Sequence, residues 1–386
     1  MTNDINNEIW EQIPASWFEK FNEIRHTSML FNPKTHIRNI AGNTVFKAGR
    51  TMSDALEIAA YKIPAVKNRL EKYGGKVEMI SVSRKEIKDN KVILDEIFDT
   101  NYAKADSKNR YIESSRPDGA PVIKNKAVNK VIQTNYGLLE KEDMLMFRPE
   151  YEKNFVRWCK ANDVPLSDIS KMSKTQMQKA NAFALKQAEY ATFRDNSAFA
   201  SKIVGLKQKT AGKTGKTTLG TAAYRAGNVI LESNLPFVKT PVNILRRSVD
   251  YSPLGLGRSM IELATAKTAD DFMSGIKHLS TGLTGTGITA LGMLLANNDI
   301  ITVKAGEESG DAYYDRDMGY QDYSLVLKFG DKEYSMSIDW VSPMQTSLFM
   351  GATIYNNLAD KKLTLEDMFD CITAVTGPML DMSFMS

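Results

Sequence analysis

The chain has 386 residues, enough for two or three domains, and with 42% hydrophobic and 25% charged residues it does not read as a disordered chain. Cys159 and Cys371 are too few for a disulfide framework or a zinc motif, and the three histidines include no metal-binding pair. The net charge of +4 hides an asymmetry, because residues 217–386 contain 13 basic and 20 acidic residues and residues 1–216 therefore carry +11. This basic front half predicts contact with nucleic acid or anionic lipid, or a solvated lysine-rich surface.

The first 62 residues predict a helical hairpin. The stretch WFEKFNEIRHTSMLF (17–31) has helical apolar spacing, and Asn32-Pro33 ends it. A long second helix follows with Thr35 as its expected cap, and small residues such as Gly42 and Gly49 allow another helix to approach. Its apolar residues form one stripe, which consists of Ile37, Ile40, Ala41, Thr44, Val45, Ala48, Met52, Ala55 and Ile58.

Residues 63–135 predict a loop-rich connecting region, because Gly74-Gly75 and the segment 116–119 are turn signals. Helical spacing returns over 136–210, with Ser173 as the expected cap of the segment that follows it.

Two glycine motifs imitate nucleotide-binding loops. The stretch KTAGKTGKTT (209–218) contains Gly-Lys-Thr twice, but Lys207 and Thr210 stand where the first glycine of a phosphate loop is needed. The stretch GTGITA (285–290) fits a dinucleotide fingerprint, yet 269–279 reads as polar helix and linker where a strand is required. We therefore interpret the first as a basic linker and reject the second.

Residues 217–386 predict an apolar helical region. No charged residue occurs from Leu279 to Ala296, and these 18 residues lie at the lower end of what spans a bilayer. Two interpretations remain open for this run, a membrane segment and the buried helix of a soluble domain. The residues assigned to membrane interaction are a small-residue stripe, Gly282, Thr286 and Ala290, and three preceding bases, Arg246, Arg247 and Arg258.

The only clear β signal is DYSLVLKFGDKEYSMSIDW, whose alternation on both sides of a turn predicts a hairpin at about 323–338. A second uncharged segment follows at 344–358, after Ser342-Pro343 as an expected helix start. The chain stops on an apolar, Met-rich stretch, so we expect it to be truncated at its C-terminus.

Five stretches together resemble regions of the large polyvalent proteins of bacteriophages and related mobile elements. They are LFNPKTHIRNIAGNTVF (30–46), AEYATFRDN (188–196), LPFVKTPVNILRRSVDYSPLGL (235–256), TGLTGTGITALGMLLA (281–296) and DKEYSMSIDWVSPMQTSLFMGA (331–352). The resemblance implies a helix-rich, non-enzymatic part of a very long polypeptide that is packaged in the virion and enters the host with the phage DNA. It implies no catalytic residues.

The sequence therefore predicts a mainly α fold with one β-hairpin and no enzymatic activity, cofactor, metal or small-molecule substrate. The leading hypothesis is a phage virion segment that associates with the host membrane, through anionic lipid, and assists DNA delivery. Its expected location is the virion and then the host membrane or cytoplasm. The alternatives are a soluble assembly module that binds other phage proteins, favoured by the mean hydropathy of −0.33, and a basic accessory protein that binds nucleic acid nonspecifically.

Overall fold

A computed structural model describes residues 17–102, 123, 125–195, 239–303, 321–330, 332–338 and 340–358. Over these residues the fold is mainly α, with a small antiparallel sheet near the C-terminal end. The predicted fold class is confirmed, including the hairpin at 323–338.

The helices in chain order are α1 (Trp17–Leu30), α2 (Pro33–Tyr61), α3 (Pro64–Lys72), α4 (Arg84–Asp89), α5 (Lys91–Tyr102), α6 (Lys126–Ala161), α7 (Lys174–Ala191), α8 (Lys239–Asp250), α9 (Pro253–Thr265), α10 (Ala269–Asn297) and α11 (Met344–Leu358). A 3₁₀ turn, Leu166–Lys171, joins α6 to α7. The strands are β1 (Ile301–Thr302), β2 (Ser324–Phe329) and β3 (Lys332–Ser337).

Helix α10 is the central element. It packs most extensively against α9 and α11, and it also contacts α2, α3, α8 and β1. A second group, α6 and α7, packs together over a core of Phe147, Tyr151, Phe155, Ala184 and Ala188. Helix α2 lies between these groups and contacts both.

The sheet has the order β1-β2-β3, with Phe329 opposite Lys332 at a tight turn where Gly330 has a φ of 62°. That left-handed backbone conformation suits a glycine at a hairpin turn. Tyr323 and Ile301 pack the sheet against the C-terminal end of α10 and the middle of α11, near Ala296 and Phe349.

Three local expectations need correction. The region 63–135 is not mainly loop in its described part, because it contains α3, α4 and α5 and the start of α6. The predicted boundary at 135/136 falls inside α6, which begins at Lys126. The segment 269–279 is no linker, because Thr268 caps a continuous helix through Asn297.

Helix caps follow the local chemistry. Ser173 caps α7, as predicted, and its side chain accepts from the backbone N–H of Gln176. Asn32, and not Thr35, caps α2, since its side chain accepts from Lys34 N at 3.0 Å and Pro33 occupies the first helical turn. Helix α11 begins at Met344, one residue after Pro343.

The fingerprint-like stretch 285–290 lies inside α10, which confirms that it is no dinucleotide loop. The phosphate-loop-like stretch 209–218, the middle of the acidic segment after α10 (304–320) and the apolar tail (359–386) lie outside the described residues.

Glycines set how closely α10 approaches its neighbours. A side chain at Gly285 would collide with the backbone of Tyr251, and one at Gly292 would collide with the carbonyl oxygen of Leu348. The contact is reciprocal, because Gly351 of α11 lies against the carbonyl oxygen of Thr289. Backbone therefore meets backbone on this flank of α10, a kind of packing common among membrane helices.

The first prediction separates packed from unpacked glycines on α10. We expect Gly285→Ala to lower the free energy of unfolding by about 1–3 kcal/mol, because the backbone of Tyr251 must move. Gly287→Ala should raise it by about 0.5–1 kcal/mol, since Gly287 is exposed and no atom of the described residues lies within 4 Å of the position that the alanine methyl group would take. Urea unfolding of both variants checks this, and equal effects would contradict the close packing.

Candidate membrane-facing surface and interior charge cluster

One side of α10 is exposed and uncharged. The α10 outer face consists of Leu283, Gly287, Ala290, Leu291 and Leu294. Leu294 is the most exposed of its leucines, at 62%. Apolar side chains that are left together on a helix surface indicate a contact with a partner or a membrane.

Within the part of the chain that the structure describes, α10 is the one helix long and apolar enough to cross a membrane. In its most apolar stretch, 44% of the residues are buried in the protein. A core helix of a soluble protein passes the same test, so length and composition alone do not distinguish the two interpretations.

The three residues of the predicted small-residue stripe lie in different environments in the folded protein. Gly282 is buried against Leu256 of α9, Thr286 is half-buried and donates its hydroxyl to the carbonyl of Gly282, and Ala290 is exposed. The tight contacts instead involve Gly275, Gly282, Gly285 and Gly292, whose neighbours lie on α9 and α11 and in the turn before α9.

Helix α9 extends the apolar surface. It passes over Gly282, and its Glu262 bonds His278 on one flank at 2.5 Å. Met260 lies on the other flank of α9, on the side of Leu283, because two residues correspond to roughly 200° around a helix. Met260 is exposed and adds to the surface that α10 presents.

The three predicted headgroup-binding arginines do not share one environment. Arg246 and Arg258 are about half exposed, with side-chain exposures of 42% and 48%. Arg247 is fully buried, donates to Asp195 Oδ2 at 2.7 Å and lies 3.7 Å from Asp250 Oδ2. From this interior position Arg247 does not reach a surface headgroup, so its predicted role needs correction.

Helix α2 buries its charged side and exposes its apolar side, which is the reverse of a normal surface helix. Its Arg50, Asp54 and Glu57 are buried, whereas its predicted apolar stripe is largely exposed. Every exposed residue from Ile37 to Ala59 is uncharged. The small residues Gly42 and Gly49, where a close approach was predicted, are buried near Trp340 and Met344.

The buried charges of α2 belong to an interior charge cluster with α6, α7, α8 and α10. Asp54 Oδ2 lies 3.0 Å from Lys153 Nζ and 3.3 Å from a guanidinium nitrogen of Arg157. Arg50 lies 3.4 Å from Glu150 Oε2 and donates to the carbonyl of Gln187 at 2.9 Å. The other members are Glu57, Tyr190, Asp195, Arg247, Asp250 and Lys277.

Three cations surround the ring of Tyr190. The guanidinium carbon of Arg247 lies 3.5 Å from the ring centroid, Lys277 Nζ lies 4.1 Å away, and the guanidinium carbon of Arg50 lies 5.3 Å away. A desolvated aromatic face attracts a cation by about 2 kcal/mol. Tyr190 therefore offsets part of the cost of burying these charges.

Burial and mutual contact in the interior charge cluster shift the pKa values of several of its members. Burial alone would raise the pKa of Asp54, but the charges of Arg50, Lys153 and Arg157 outweigh it and hold that pKa at about 2. Burial raises the pKa of Glu57 to about 7, against the opposing charge of Lys277. Burial lowers the pKa of Lys277 to about 8.

The cluster fits a structural role, since its charges are neutralised by one another inside the protein. Among the described residues no group of three or more His, Cys, Asp or Glu side chains could hold a metal ion. Sequence reasoning missed the cluster, because Arg50, Glu150 and Arg247 are far apart along the chain. The available signal was the i, i+4 and i, i+7 spacing of Arg50, Asp54 and Glu57 on a single side of α2.

Comparison with known proteins gives no match to a family model, a curated protein or a solved structure.

The second prediction compares two adjacent arginines. We expect Arg247→Ala to lower the free energy of unfolding by about 3–5 kcal/mol, because it leaves the half-buried carboxylate of Asp195 without its nearest partner and removes one of the cations around the buried carboxylate of Asp250. Arg246→Ala should change it by less than about 1 kcal/mol, since that side chain is half exposed. Chemical denaturation checks both variants, and a mild effect of Arg247→Ala would contradict its interior position.

The third prediction concerns pH. Folded protein keeps its proton on Glu57 up to about pH 7, whereas an ordinary glutamate releases it near 4.5. The folded state thus binds more protons in that window, so Glu57 lowers the free energy of unfolding as the pH rises through it. Glu57→Gln should remove this decline, which amounts to about 1–3 kcal/mol.

Urea unfolding of wild type and Glu57→Gln at about pH 5 and about pH 6.5 measures this difference, below the pKa of about 8 at which Lys277 loses its proton. Asp54 acts with the opposite sign, but only below its ordinary pKa of 3.8, so it does not interfere. Parallel pH curves for the two proteins would show that Glu57 ionises normally.

Proposed function

We propose that this chain is a non-enzymatic helical segment that associates with an anionic membrane through the α10 outer face. One observation carries the proposal: within an 18-residue run without charge, the side of α10 that its neighbours leave uncovered is apolar. A core helix would bury that side against protein. Here the leucines of the outer face and Met260 of α9 remain accessible.

The magnitudes favour surface attachment with shallow insertion. Fully burying one leucine contributes about 1.5–3 kcal/mol, so three half-exposed leucines contribute several kcal/mol. Each base near an anionic surface adds about 1 kcal/mol, and the half-exposed Arg246 is accessible enough to do so. Arg258 does not count toward this sum, because its Nε lies 2.8 Å from Glu262, on the flank of α9 opposite Met260 and the α10 outer face. An amphipathic face of this kind enters the headgroup region by about 5–10 Å.

The biological setting is a further part of the proposal. The resemblance of five stretches to phage large polyvalent proteins supports a virion protein that enters the host and assists DNA delivery at the host membrane. No small-molecule substrate or cofactor is part of this role.

A soluble assembly module of a phage polypeptide is the second candidate. It is favoured by the position of α10, which contacts helices on several sides and thus also serves as a core helix. Nonspecific binding of nucleic acid by the basic front half is less well supported. Several of its described bases, among them Arg50, Lys153 and Arg157, are engaged with acidic side chains inside the protein.

The fourth prediction tests the membrane contact. We expect the full chain to float with vesicles that contain anionic lipid, and Leu294→Glu to reduce the bound fraction at least about tenfold, because it places a charge at the most exposed leucine of the α10 outer face. Val92→Glu on α5 is the matched control, since Val92 is 85% exposed and lies on another helix.

A carbonate wash after flotation distinguishes insertion, which resists it, from attachment through the bases, which does not. Failure of the wild-type chain to float would contradict the proposal and favour the soluble assembly module. Equal losses for Leu294→Glu and Val92→Glu would show that the α10 outer face is not the contact.

A further inference from the structure

We propose that the membrane contact extends from α10 onto α2, so that the two helices lie side by side on an anionic bilayer as one surface. This inference rests on the proposed function and adds a second helix to its site. Met52 is 57% exposed, and Leu56 and Val45 are about 40% exposed, at 41% and 40%. The α2 outer face, which carries no charge, consists of Ile37, Val45, Ala48, Met52, Ala55, Leu56 and Ala59.

Helices α2 and α10 run antiparallel along each other. Phe46 of α2 belongs to the same apolar cluster as Ile288 of α10. Fifteen residues later on α2, Tyr61 belongs to the same apolar cluster as Ile276 of α10. As residue numbers rise along α2, the numbers of its neighbours on α10 therefore fall.

The two outer faces point to the same side of this helix pair. Ser53 and Thr281, whose hydroxyl oxygens lie 3.1 Å apart, mark the sides on which α2 and α10 meet. At about 100° per residue, the α2 outer face lies roughly 60–160° around α2 from Ser53. In the same rotational sense, the α10 outer face lies roughly 80–180° around α10 from Thr281. Similar rotations along two antiparallel helices lead to the same side of the pair, so a bilayer on one face also meets the other.

The charges around this surface suit an anionic bilayer. Between Ile37 and Ala59 no charged residue is exposed, and α10 has none from Leu279 to Ala296. Exposed Lys34 lies about one turn before Ile37, on the same side of α2. An apolar centre with a base at its edge matches acyl chains beside anionic headgroups.

The scarcity of hydrogen-bonding groups favours lipid over a protein partner. In the stretch 37–59, all of which the structure describes, the exposed polar residues are Thr44 and Thr51. Their hydroxyls donate to carbonyls of their own helix, those of Ile40 at 2.7 Å and Lys47 at 2.8 Å. A protein interface forms about one hydrogen bond per 100–200 Å², whereas acyl chains neither offer nor require any.

The area of the surface leads to the same choice. About 33 Å of α2 and about 17 Å of α10, each about 10 Å wide, present roughly 500 Å². A standard stable protein interface needs roughly 800 Å² per partner. Membrane binding has no such minimum, because its strength rises with each apolar group that is buried. Val45, Met52 and Leu56 equal in number the exposed leucines of α10, so α2 supplies about half of the large side chains in the contact.

An environment-sensitive fluorophore on single cysteines tests this contact directly. Met52→Cys, Leu294→Cys and Val92→Cys are each made in the full chain together with Cys371→Ser, and buried Cys159 does not react. On vesicles of phosphatidylcholine and phosphatidylglycerol, we expect the emission of labels at positions 52 and 294 to shift to shorter wavelength. The label at position 92, on α5, should not shift and is the control.

A shift at position 294 without one at position 52 would overturn the extension onto α2 and leave the proposed function standing. No shift at either position, with a wild-type chain that does not float, would remove the proposed function and this inference with it.

Flotation gives a second measure. Met52→Glu should reduce the bound fraction at least about tenfold, as Leu294→Glu does, whereas Met52→Leu should bind like wild type. Because position 52 is exposed, both variants should fold, which far-UV circular dichroism verifies. A wild-type dimer in vesicle-free buffer that Met52→Glu dissociates would contradict the inference, because a second copy would then cover α2.

Discussion

The charges that α2 places inside the protein are the constraint on which the rest of the structure depends. Removing a charged group from water costs several kcal/mol, and only good partners in the interior offset this. Arg50 and Asp54 find them on α6, in Glu150, Lys153 and Arg157, while α7 contributes Tyr190 and α10 contributes Lys277. Because the partners come from several helices, the cluster fixes how α2, α6, α7 and α10 lie against one another, which an apolar core alone does less specifically.

Two flanks of α10 are packed in different ways, one by the interior charge cluster and the other by glycine contacts. Toward α2 the contact is polar, with Lys277 and Thr281 beside the buried charges. Toward α9 and α11 the contact is backbone against backbone at Gly285 and Gly292. These two flanks use the polar residues and the packed glycines of α10, and the third side carries three exposed leucines together with Gly287 and Ala290.

Local patterns in the sequence predicted well where helices and strands occur, but predicted poorly which side of a helix faces the interior of the protein. Alternation predicted the hairpin, and the uncharged run predicted an apolar helix, because both signals lie within one segment. Periodicity also found the apolar stripe of α2, yet it shows only which side is apolar and not which side is inside. The decisive partners, such as Glu150 for Arg50 and Arg157 for Asp54, are about a hundred residues away and leave no local signal. Arg247 was misplaced for the same reason, since Asp195 lies in another part of the chain.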